Sequence, residues 1–414
     1  MRSALPAVGL NRDEIFERMH AYSADDVDWR RGRVPLYVFK ANDEIAAIGR
    51  DAFLEYFAEN GLGGKRAFHG LQRMEDDIVA MGLSLFHAPE DGSGYLTTGG
   101  SESIIAAVKA CRDEARRRSG REDKRGNIVM PFSAHPAFTK AARLMDLETR
   151  RVPVAPNYRA DVIAMAQAID ADTLMLVGSA PCFPYGTIDP IVDLGRLAQE
   201  RGVWLHVDAC VGGYLAPFVA KAGYPVPGFD FAVPGVISLS ADLHKFGFCP
   251  KPASTVFYRS EALAAFQPFD VDDWPAGRFT TATLVGTRPG GGIAGAWATL
   301  HAMGEQGYVD TATQIMEVVA RYRHGIEAMG FEVIGNPELS ILAFTSPVVD
   351  MLEVGAAMNT RGWLAGLLRQ PHAMHLMLSM LHAQACDDYL GDLNASVAQV
   401  GDGRRAGNKI DATD

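Results

Sequence analysis

Short, continuously apolar segments alternate with amphipathic helical segments through the middle of the chain, and this alternation constrains the fold more than any other feature. Between residues 127 and 239, five segments contain mostly apolar residues, and helical patterns separate several of them. Strands that are apolar throughout, rather than at every second position, are typical of a sheet that is covered on both faces. The order β-α-β-α therefore predicts an α/β fold with a mostly parallel sheet.

Similar patterns extend to both ends of the chain. Helices are predicted at Glu44–Glu59, Leu71–Leu85, Glu102–Arg118, Pro136–Leu147, Asp161–Ile169, Ile191–Arg201, Tyr308–Met329, Met351–Arg361 and Gln384–Val400. Strands are predicted at Asn127–Met130, Arg151–Val154, Leu174–Val177, Val203–Val207, Val236–Leu239, Phe331–Ile334, Ser340–Phe344 and Met374–Leu378. We expect an N-terminal segment (1–50), a large domain (51–300), a smaller C-terminal α/β domain (301–400) and a polar, disordered tail (401–414).

Charge and composition exclude several classes of function. The chain has 39 Lys and Arg against 50 Asp and Glu, a formal net charge of −11. Sequence-independent binding of nucleic acid needs a basic face, so we exclude it. No stretch approaches the roughly 18 consecutive apolar residues of a membrane span, and no signal peptide is visible. Five scattered cysteines without a C-x-x-C pair predict reduced thiols, and we expect a cytoplasmic protein.

Polar side chains follow the predicted strands of the large sheet. Asp208 directly follows one strand, Asp242, His244 and Lys245 follow the next, and His135 follows an earlier one. Ligands of open parallel sheets bind at the carboxyl ends of the strands. We therefore expect two acids, two histidines and a lysine to converge on one edge of the sheet.

This set of residues suits pyridoxal 5′-phosphate, which needs an amine, an acid for its pyridine nitrogen, an aromatic neighbour and a phosphate cradle. Lys245 can supply the amine that binds the cofactor as a Schiff base, Asp208 the acid and His135 the aromatic ring. The glycine loop Thr98–Ser103 runs into a helix N-terminus, which binds anions. Each feature alone is commonly a helix cap, a turn or a surface pair. Their combination in this order predicts the cofactor.

Four motifs extend this interpretation to a known family. They are GYLTTGGSES (94–103), LHVDACVGG (205–213), SLSADLHKFG (238–247) and GTRPGG (286–291). Together they resemble the sphingosine-1-phosphate lyases, within the fold-type-I pyridoxal phosphate decarboxylase superfamily. The likeness covers roughly residues 34 to 400 in collinear order. It implies a large, mostly parallel sheet of the seven-stranded type with a smaller C-terminal domain.

The resemblance also implies roles for the matching residues. Lys245 would carry the cofactor, Asp208 would bind the pyridine nitrogen, and His135 would stack on the ring. The residues that would contact the cofactor phosphate are Gly100, Ser101 and His244. Lys251 matches a family lysine near the substrate.

A shared active site is implied as well. The loop Gly286-Thr287-Arg288 would reach the phosphate bound by a second copy of the chain, so the resemblance implies a homodimer. One segment departs from the family pattern: NPLHPD is replaced by Asn60-Gly61-Leu62-Gly63-Gly64-Lys65-Arg66. The two cations Lys65 and Arg66 either bind an anionic group of the substrate or form a solvated basic turn.

The implied activity is a retro-aldol cleavage of a phosphorylated long-chain amino alcohol to a fatty aldehyde and phosphoethanolamine. An amino-acid decarboxylase of the same superfamily is the alternative, because it uses the same cofactor residues. A scaffold that has lost its chemistry would lack Lys245 or Asp208, and both are present. A nicotinamide-binding dehydrogenase is disfavoured, since no G-x-G-x-x-G follows a strand.

Overall fold

The computed structural model describes residues 4–123 and 125–401. The α-helices are α1 (Arg12–Tyr22), α2 (Asp43–Glu55), α3 (His69–Leu85), α4 (Gly100–Ser119), α5 (Ala137–Leu144), α6 (Val162–Ala168), α7 (Ile191–Arg201), α8 (Ala216–Lys221), α9 (Glu261–Ala264), α10 (Gly290–Ala328), α11 (Met351–Thr360) and α12 (Cys386–Gly401). The strands are β1 (Ser93–Thr97), β2 (Asn127–Pro131), β3 (Glu148–Val152), β4 (Thr173–Ser179), β5 (Trp204–Asp208), β6 (Val236–Ala241), β7 (Ser254–Tyr258), β8 (Phe269–Val271), β9 (Phe279–Thr281), β10 (Glu332–Val333), β11 (Ile341–Thr345), β12 (Gly366–Arg369) and β13 (His372–Met377).

A seven-stranded sheet in the order β1-β7-β6-β5-β4-β2-β3 forms the centre of the molecule. The pairs β5–β6, β4–β5, β2–β4 and β2–β3 are parallel, and only β7 runs antiparallel to its neighbours β6 and β1. Every residue of β2, β4 and β5 is buried, as expected for strands that are covered on both faces. The predicted α/β fold with a mostly parallel sheet is confirmed.

A second sheet, in the order β10-β11-β13-β12, is antiparallel throughout. The chain from Arg33 to Pro35 lies against it: the N–H of Leu364 donates to the Arg33 carbonyl, and the N–H of Met377 to the Pro35 carbonyl. The predicted domain boundaries stay a prediction. Of the predicted tail, 402–414 lie outside the described residues, whereas Gly401 ends α12 instead of being disordered.

The start of α10 differs from the prediction. Its helix begins at Gly290 rather than at Tyr308, and a kink at Gly304 (φ 55°, ψ 174°) interrupts it. The run of glycines at its start is typical of a loop in a sequence. A Cβ at Gly291 would lie 2.5 Å from the carbonyl oxygen of Phe53 in α2. The glycines are therefore helical residues that let the backbones of α10 and α2 approach closely.

Candidate active site

The carboxyl ends of the parallel strands bring the predicted residues together. Asp208 ends β5, Lys245 follows β6, and His135 follows β2. These side chains face a cavity of about 610 Å³. Its polar and glycine lining includes Thr98, Gly99, Gly100, Ser101, His135, Asp208, Asp242, His244, Lys245 and Lys251. We call Asp208, His135, Asp242, His244 and Lys245 the strand-end cluster.

Lys245 forms an ion pair that the sequence did not predict. Its Nζ lies 3.1 Å from Oδ2 of Asp242, whose side chain is only 2% exposed. Burial alone would lower the pKa of the Lys245 amine, but the negative charges near it, led by Asp242, leave that pKa above its ordinary value. The pair keeps the amine as an ammonium ion. Asp242 was visible in the sequence as a residue at a strand end, yet no motif gave it a role.

Asp208 is buried beside the same cavity. The backbone N–H of Cys210 donates to its Oδ1 at 3.1 Å, which holds the carboxylate in place. Its neighbour in β5, His206, bonds to Ser238 and Ser240 at 2.8 and 3.2 Å. Burial lowers the pKa of His206 to about 4, so this histidine is a neutral, hydrogen-bonded core residue. Asp208 remains the acid that the cavity presents at this strand.

His135 stands at the mouth of the cavity and is exposed to solvent. The backbone N–H of Ala137 donates to its Nδ1 at 3.2 Å, which leaves the ring proton on Nε2. Desolvation by the surrounding protein lowers the pKa of its imidazole, and the charge of Asp208 only partly opposes this effect. A neutral aromatic ring thus borders the cavity just after the end of β2.

The N-terminus of α4 forms the anion-binding part of the cavity. No side chain caps this helix, so the N–H groups of its first turn point to the cavity that Gly99, Gly100 and Ser101 line. A Cβ at Gly100 would lie 2.8 Å from both Asp242 Oδ2 and Cys210 Sγ. Only glycine fits there. His244 donates through Nδ1 to the carbonyl of Ala253 at 2.6 Å, which leaves its Nε2 available.

One buried carboxylate connects this loop to a distant segment. Glu102 Oε2 accepts hydrogen bonds from the N–H and the hydroxyl of Thr98, both at 2.6 Å. Its Oε1 accepts from the N–H of Leu284 at 2.7 Å. Sequence analysis gave Glu102 no role beyond its place in a motif. Its two oxygens join the glycine loop to the chain that leads to Gly286.

Gly286, Thr287, Lys65 and Arg66 do not line the cavity. The segment 60–66 lies instead against the segment 286–288, and we call these two segments the loop cluster. Asn60 donates to the Thr287 hydroxyl at 3.2 Å, and the N–H of Gly61 donates to the carbonyl of Arg288 at 2.8 Å. A two-point ion pair of Arg288 with Glu75, at 2.7 and 3.0 Å, fixes the loop. Lys65 and Arg66 are exposed.

Lys251 does line the cavity. Its Nζ donates to the backbone carbonyl of Tyr37 at 2.8 Å, and desolvation lowers its pKa. The apolar lining of the cavity consists of Leu36, Phe39, Ile104, Pro181, Phe183, Val211, Pro252 and Met377. The cavity therefore combines charged groups with apolar side chains, of which Met377 comes from the second sheet.

A larger cavity of about 920 Å³ lies elsewhere, beside α8 and the kink of α10. Its charged neighbours pair with each other, His87 with Asp230 and Lys221 with Glu305. Unlike the smaller cavity, it is not lined by acids, histidines and a lysine from several strand ends. Among the described residues, no cluster could hold a metal ion and no helix is long and apolar enough to cross a membrane. All five cysteines are free and buried.

Comparison with known proteins shows the family of this chain. Residues 69–346 match the model of the pyridoxal-dependent decarboxylase conserved domain. The chain belongs to the pyridoxal-dependent decarboxylase family. It is an enzyme of the lyase type, and pyridoxal phosphate is its cofactor, as the strand ends predicted.

Within this family the chain is similar to sphingosine-1-phosphate lyases, as its four motifs predicted. It is 38% identical to that of Oryza sativa subsp. japonica, over 97% of this chain and 75% of the relative. It is 39% identical to sphingosine-1-phosphate lyase 1 of Rattus norvegicus, over 96% of this chain and 70% of the relative.

Solved structures of related enzymes are similar to this chain as well. A sphingosine-1-phosphate lyase of Burkholderia pseudomallei has a TM-score of 0.92 at 35% identity, covering 98% of this chain and 94% of that chain. Lactobacillus brevis glutamate decarboxylase has a TM-score of 0.84 at 18% identity, covering 99% and 96%, and shares the fold.

The residues of this decarboxylase-family chain fit the cofactor. A phosphate needs free N–H donors, and the uncapped α4 with its obligatory Gly100 supplies them. The covalent link needs an amine inside the cavity, and Lys245 is the strand-end lysine there. A buried carboxylate, Asp208, suits a protonated pyridine nitrogen.

Proposed function

We propose that this enzyme cleaves a phosphorylated long-chain amino alcohol of the sphingosine-1-phosphate type to a long-chain aldehyde and phosphoethanolamine. The observation that carries the proposal is the similarity to sphingosine-1-phosphate lyases over nearly the whole chain, at 38–39% identity for the plant and rat proteins. The structural likeness to the Burkholderia enzyme extends it to the placement of the elements around the cavity.

In this proposal the strand-end cluster holds the cofactor. Lys245 forms the covalent link, Asp208 binds the pyridine nitrogen and His135 lies against the ring. The residues that hold the phosphate are Gly100, Ser101 and His244. When bound, pyridoxal phosphate supplies an electron sink for the negative charge that develops at the substrate carbon next to nitrogen.

The remaining lining would receive the substrate. Lys251 is a cation beside the apolar side chains of the cavity, so it suits the phosphate of an amphiphilic substrate, while these side chains suit its hydrocarbon chain. Cleavage removes the proton of the β-hydroxyl, breaks the bond between Cα and Cβ, and returns a proton to Cα. Lys245 Nζ is our candidate for moving these protons, because it lies inside the cavity and becomes free when the substrate amine replaces it.

We further propose a cytoplasmic homodimer with shared active sites, in which Gly286 and Thr287 reach the cofactor phosphate of the second copy. The loop cluster supports it, because it is held firmly by Glu75 and Asn60 but away from the cavity of its own chain. Several exposed apolar side chains lie in or close in sequence to the loop cluster, and a dimer interface there would bury them. They are Leu54 (59% exposed), Phe57 (72%), Leu62 (41%), Leu284 (62%) and Val285 (43%).

The test is to incubate the purified protein with pyridoxal phosphate and a phosphosphingoid base, and to measure long-chain aldehyde and phosphoethanolamine. We expect both products in equal amounts. A second candidate function is amino-acid decarboxylation, which is favoured by 32% identity to a probable L-tyrosine/L-aspartate decarboxylase of Methanothermobacter thermautotrophicus, over 78% of this chain and 86% of that protein. Release of carbon dioxide from amino acids, without aldehyde from the phosphosphingoid base, would contradict the lyase proposal.

A further inference from the structure

We propose that Asp242 is a positioning residue that holds the amine of Lys245 in place and stabilises its ammonium form while the substrate occupies the cofactor. The inference rests on the proposed function, in which the substrate amine displaces Lys245 in each turnover. It assigns a role to a buried carboxylate that the cofactor-binding residues do not explain. The observations that carry it are a contact, a chain of hydroxyl groups and the burial of a charge.

The contact is direct. Asp242 Oδ2 lies 3.1 Å from Lys245 Nζ, and Nε2 of His244 lies farther from this oxygen, at 3.8 Å. Desolvation lowers the pKa of His244, so Lys245 is the cation that pairs with this carboxylate. The Lys245 side chain is 24% exposed, towards the cavity, whereas the carboxylate beneath it is 2% exposed. The amine can therefore turn towards a ligand, and the carboxylate stays behind it.

Three buried hydroxyl groups fix the carboxylate. Ser254 donates to Asp242 Oδ1 at 2.5 Å, Ser103 lies 2.9 Å from Ser254, and Thr97 lies 2.6 Å from Ser103. Since Ser254 uses its proton on the carboxylate, it accepts from Ser103, and Ser103 in turn accepts from Thr97. All three hydroxyl dipoles then point to Asp242 and stabilise its negative charge.

If residue 242 only held Ser254 in place by a hydrogen bond, its side chain would not need a negative charge. An uncharged acceptor could accept from Ser254 equally well, and a buried carboxylate without a cation is strongly destabilising. The placement of the Lys245 ammonium on the free oxygen explains why this position is an acid. The other titratable groups that face the amine are Asp208, Cys210, His135 and His244.

For the reaction, this pair means that Lys245 Nζ can hold a proton between two steps. Lys245 is neutral when the substrate amine replaces it, so it can take the proton of the β-hydroxyl. It then carries this proton until Cα accepts it, after the bond between Cα and Cβ has broken. While the substrate occupies the cofactor, the carboxylate of Asp242 holds that proton on Nζ at a fixed place. When product leaves, the proton has gone to Cα, and the neutral amine links to the cofactor again.

The experiment compares the full-length cofactor-free protein with its Asp242→Asn variant, which keeps size and the acceptor for Ser254 but loses the charge. The probe is acetic anhydride, and the acetylated fraction of Lys245 is followed by mass spectrometry across pH. An opposite charge at this distance shifts a pKa by about 1–3 units, so we expect Lys245 of the variant to react about 10-fold faster or more near pH 8. In holoenzyme, kcat should fall about 10-fold or more, with KM for the phosphosphingoid base unchanged.

The matched control is Asp230→Asn, which removes another buried carboxylate, paired with His87 away from this cavity. Its Lys245 should react as in the unaltered protein. If Asp242→Asn does not fold, Asp242→Ser replaces it, being smaller and also uncharged. A folded variant with an unchanged acetylation rate would overturn the proposal and leave Asp242 only the role of holding Ser254 in place. Failure of the proposed function is distinguishable, because it would appear as missing aldehyde in the unaltered enzyme, whereas acetylation needs no substrate.

Discussion

The strand-end cluster and the loop cluster come from motifs of one chain, yet they are built in opposite ways. The first lines a cavity of about 610 Å³: its carboxylates are buried, and one of them, Asp242, pairs with Lys245. The second is firmly braced but faces outward, with Lys65, Arg66 and several apolar side chains exposed. In the proposed homodimer, a site that uses both clusters would be complete only when two copies of the chain meet. The difference shows that rigidity and completeness are separate properties of an active site.

The largest effect is expected from removing the central member of the strand-end cluster. Lys245→Ala should abolish the visible absorption of covalently bound cofactor and with it measurable turnover, because no other amine lies beside Asp208 in the cavity. Circular dichroism should still show the native secondary structure, but the melting temperature should fall, because Asp242 loses the cation that pairs with its buried carboxylate. A retained visible band in the folded variant would contradict the assignment of Lys245.

Hybrid dimers test directly whether the loop cluster of one copy completes the cavity of the other. In Gly286→Asp the new side chain has room in its own chain, since a Cβ there meets only Leu62 Cδ2 at 3.7 Å. Its charge should repel the phosphate in the cavity of the second copy and lower activity about 10²-fold. Refolding this variant together with Lys245→Ala yields hybrids in which one site of two has neither change. Random pairing should then restore about a quarter of the normal activity.

The control for this experiment is each variant refolded alone, which should stay inactive. Size-exclusion chromatography should show dimers in all three samples. If activity does not return on mixing, Gly286 and Lys245 act in the cavity of the same chain, and the proposal of shared sites is contradicted.

The smallest effect is expected from the exposed cations of the loop cluster. Lys65→Ala and Arg66→Ala should each change the free energy of unfolding by no more than about 0.5 kcal/mol, because neither side chain is buried. We expect KM for the phosphosphingoid base to stay unchanged if this is a solvated turn. A raised KM for phosphorylated but not for unphosphorylated substrates would instead assign the two cations to the substrate site of the second copy.

The sequence predicted the parallel core well, since short, uninterrupted apolar runs such as those of β4 and β5 are typical of fully buried strands. It predicted less well where tertiary contacts override local pattern. Strand β7 was missed because it begins with two polar residues: Ser254 belongs to the buried hydroxyl chain, and Thr255 donates to the carbonyl of Ala241. The start of α10 was missed because its glycines serve packing against α2 and not a turn.

For the site, strand ends located Asp208, His135 and Lys245, since topology alone brings them together. The partner of Lys245 was not predictable in this way. Asp242 is three residues from Lys245, and only the turn after β6 decides that its carboxylate folds back under the amine. The position of the loop cluster was equally invisible, because residues 60 and 287 are far apart in sequence and meet through single contacts such as Asn60 with Thr287.

The divided attachment of Glu102 has a consequence for how two copies would work together. One of its oxygens holds Thr98 at the phosphate loop, and the other holds Leu284, close to the loop cluster. In the proposed homodimer, a rearrangement of the phosphate loop on filling one cavity would reach, through Glu102, the segment that contributes to the cavity of the second copy. In a dimer with shared sites, binding of the cofactor in one cavity would then change the affinity of the other cavity. We therefore expect the two copies to bind the cofactor cooperatively.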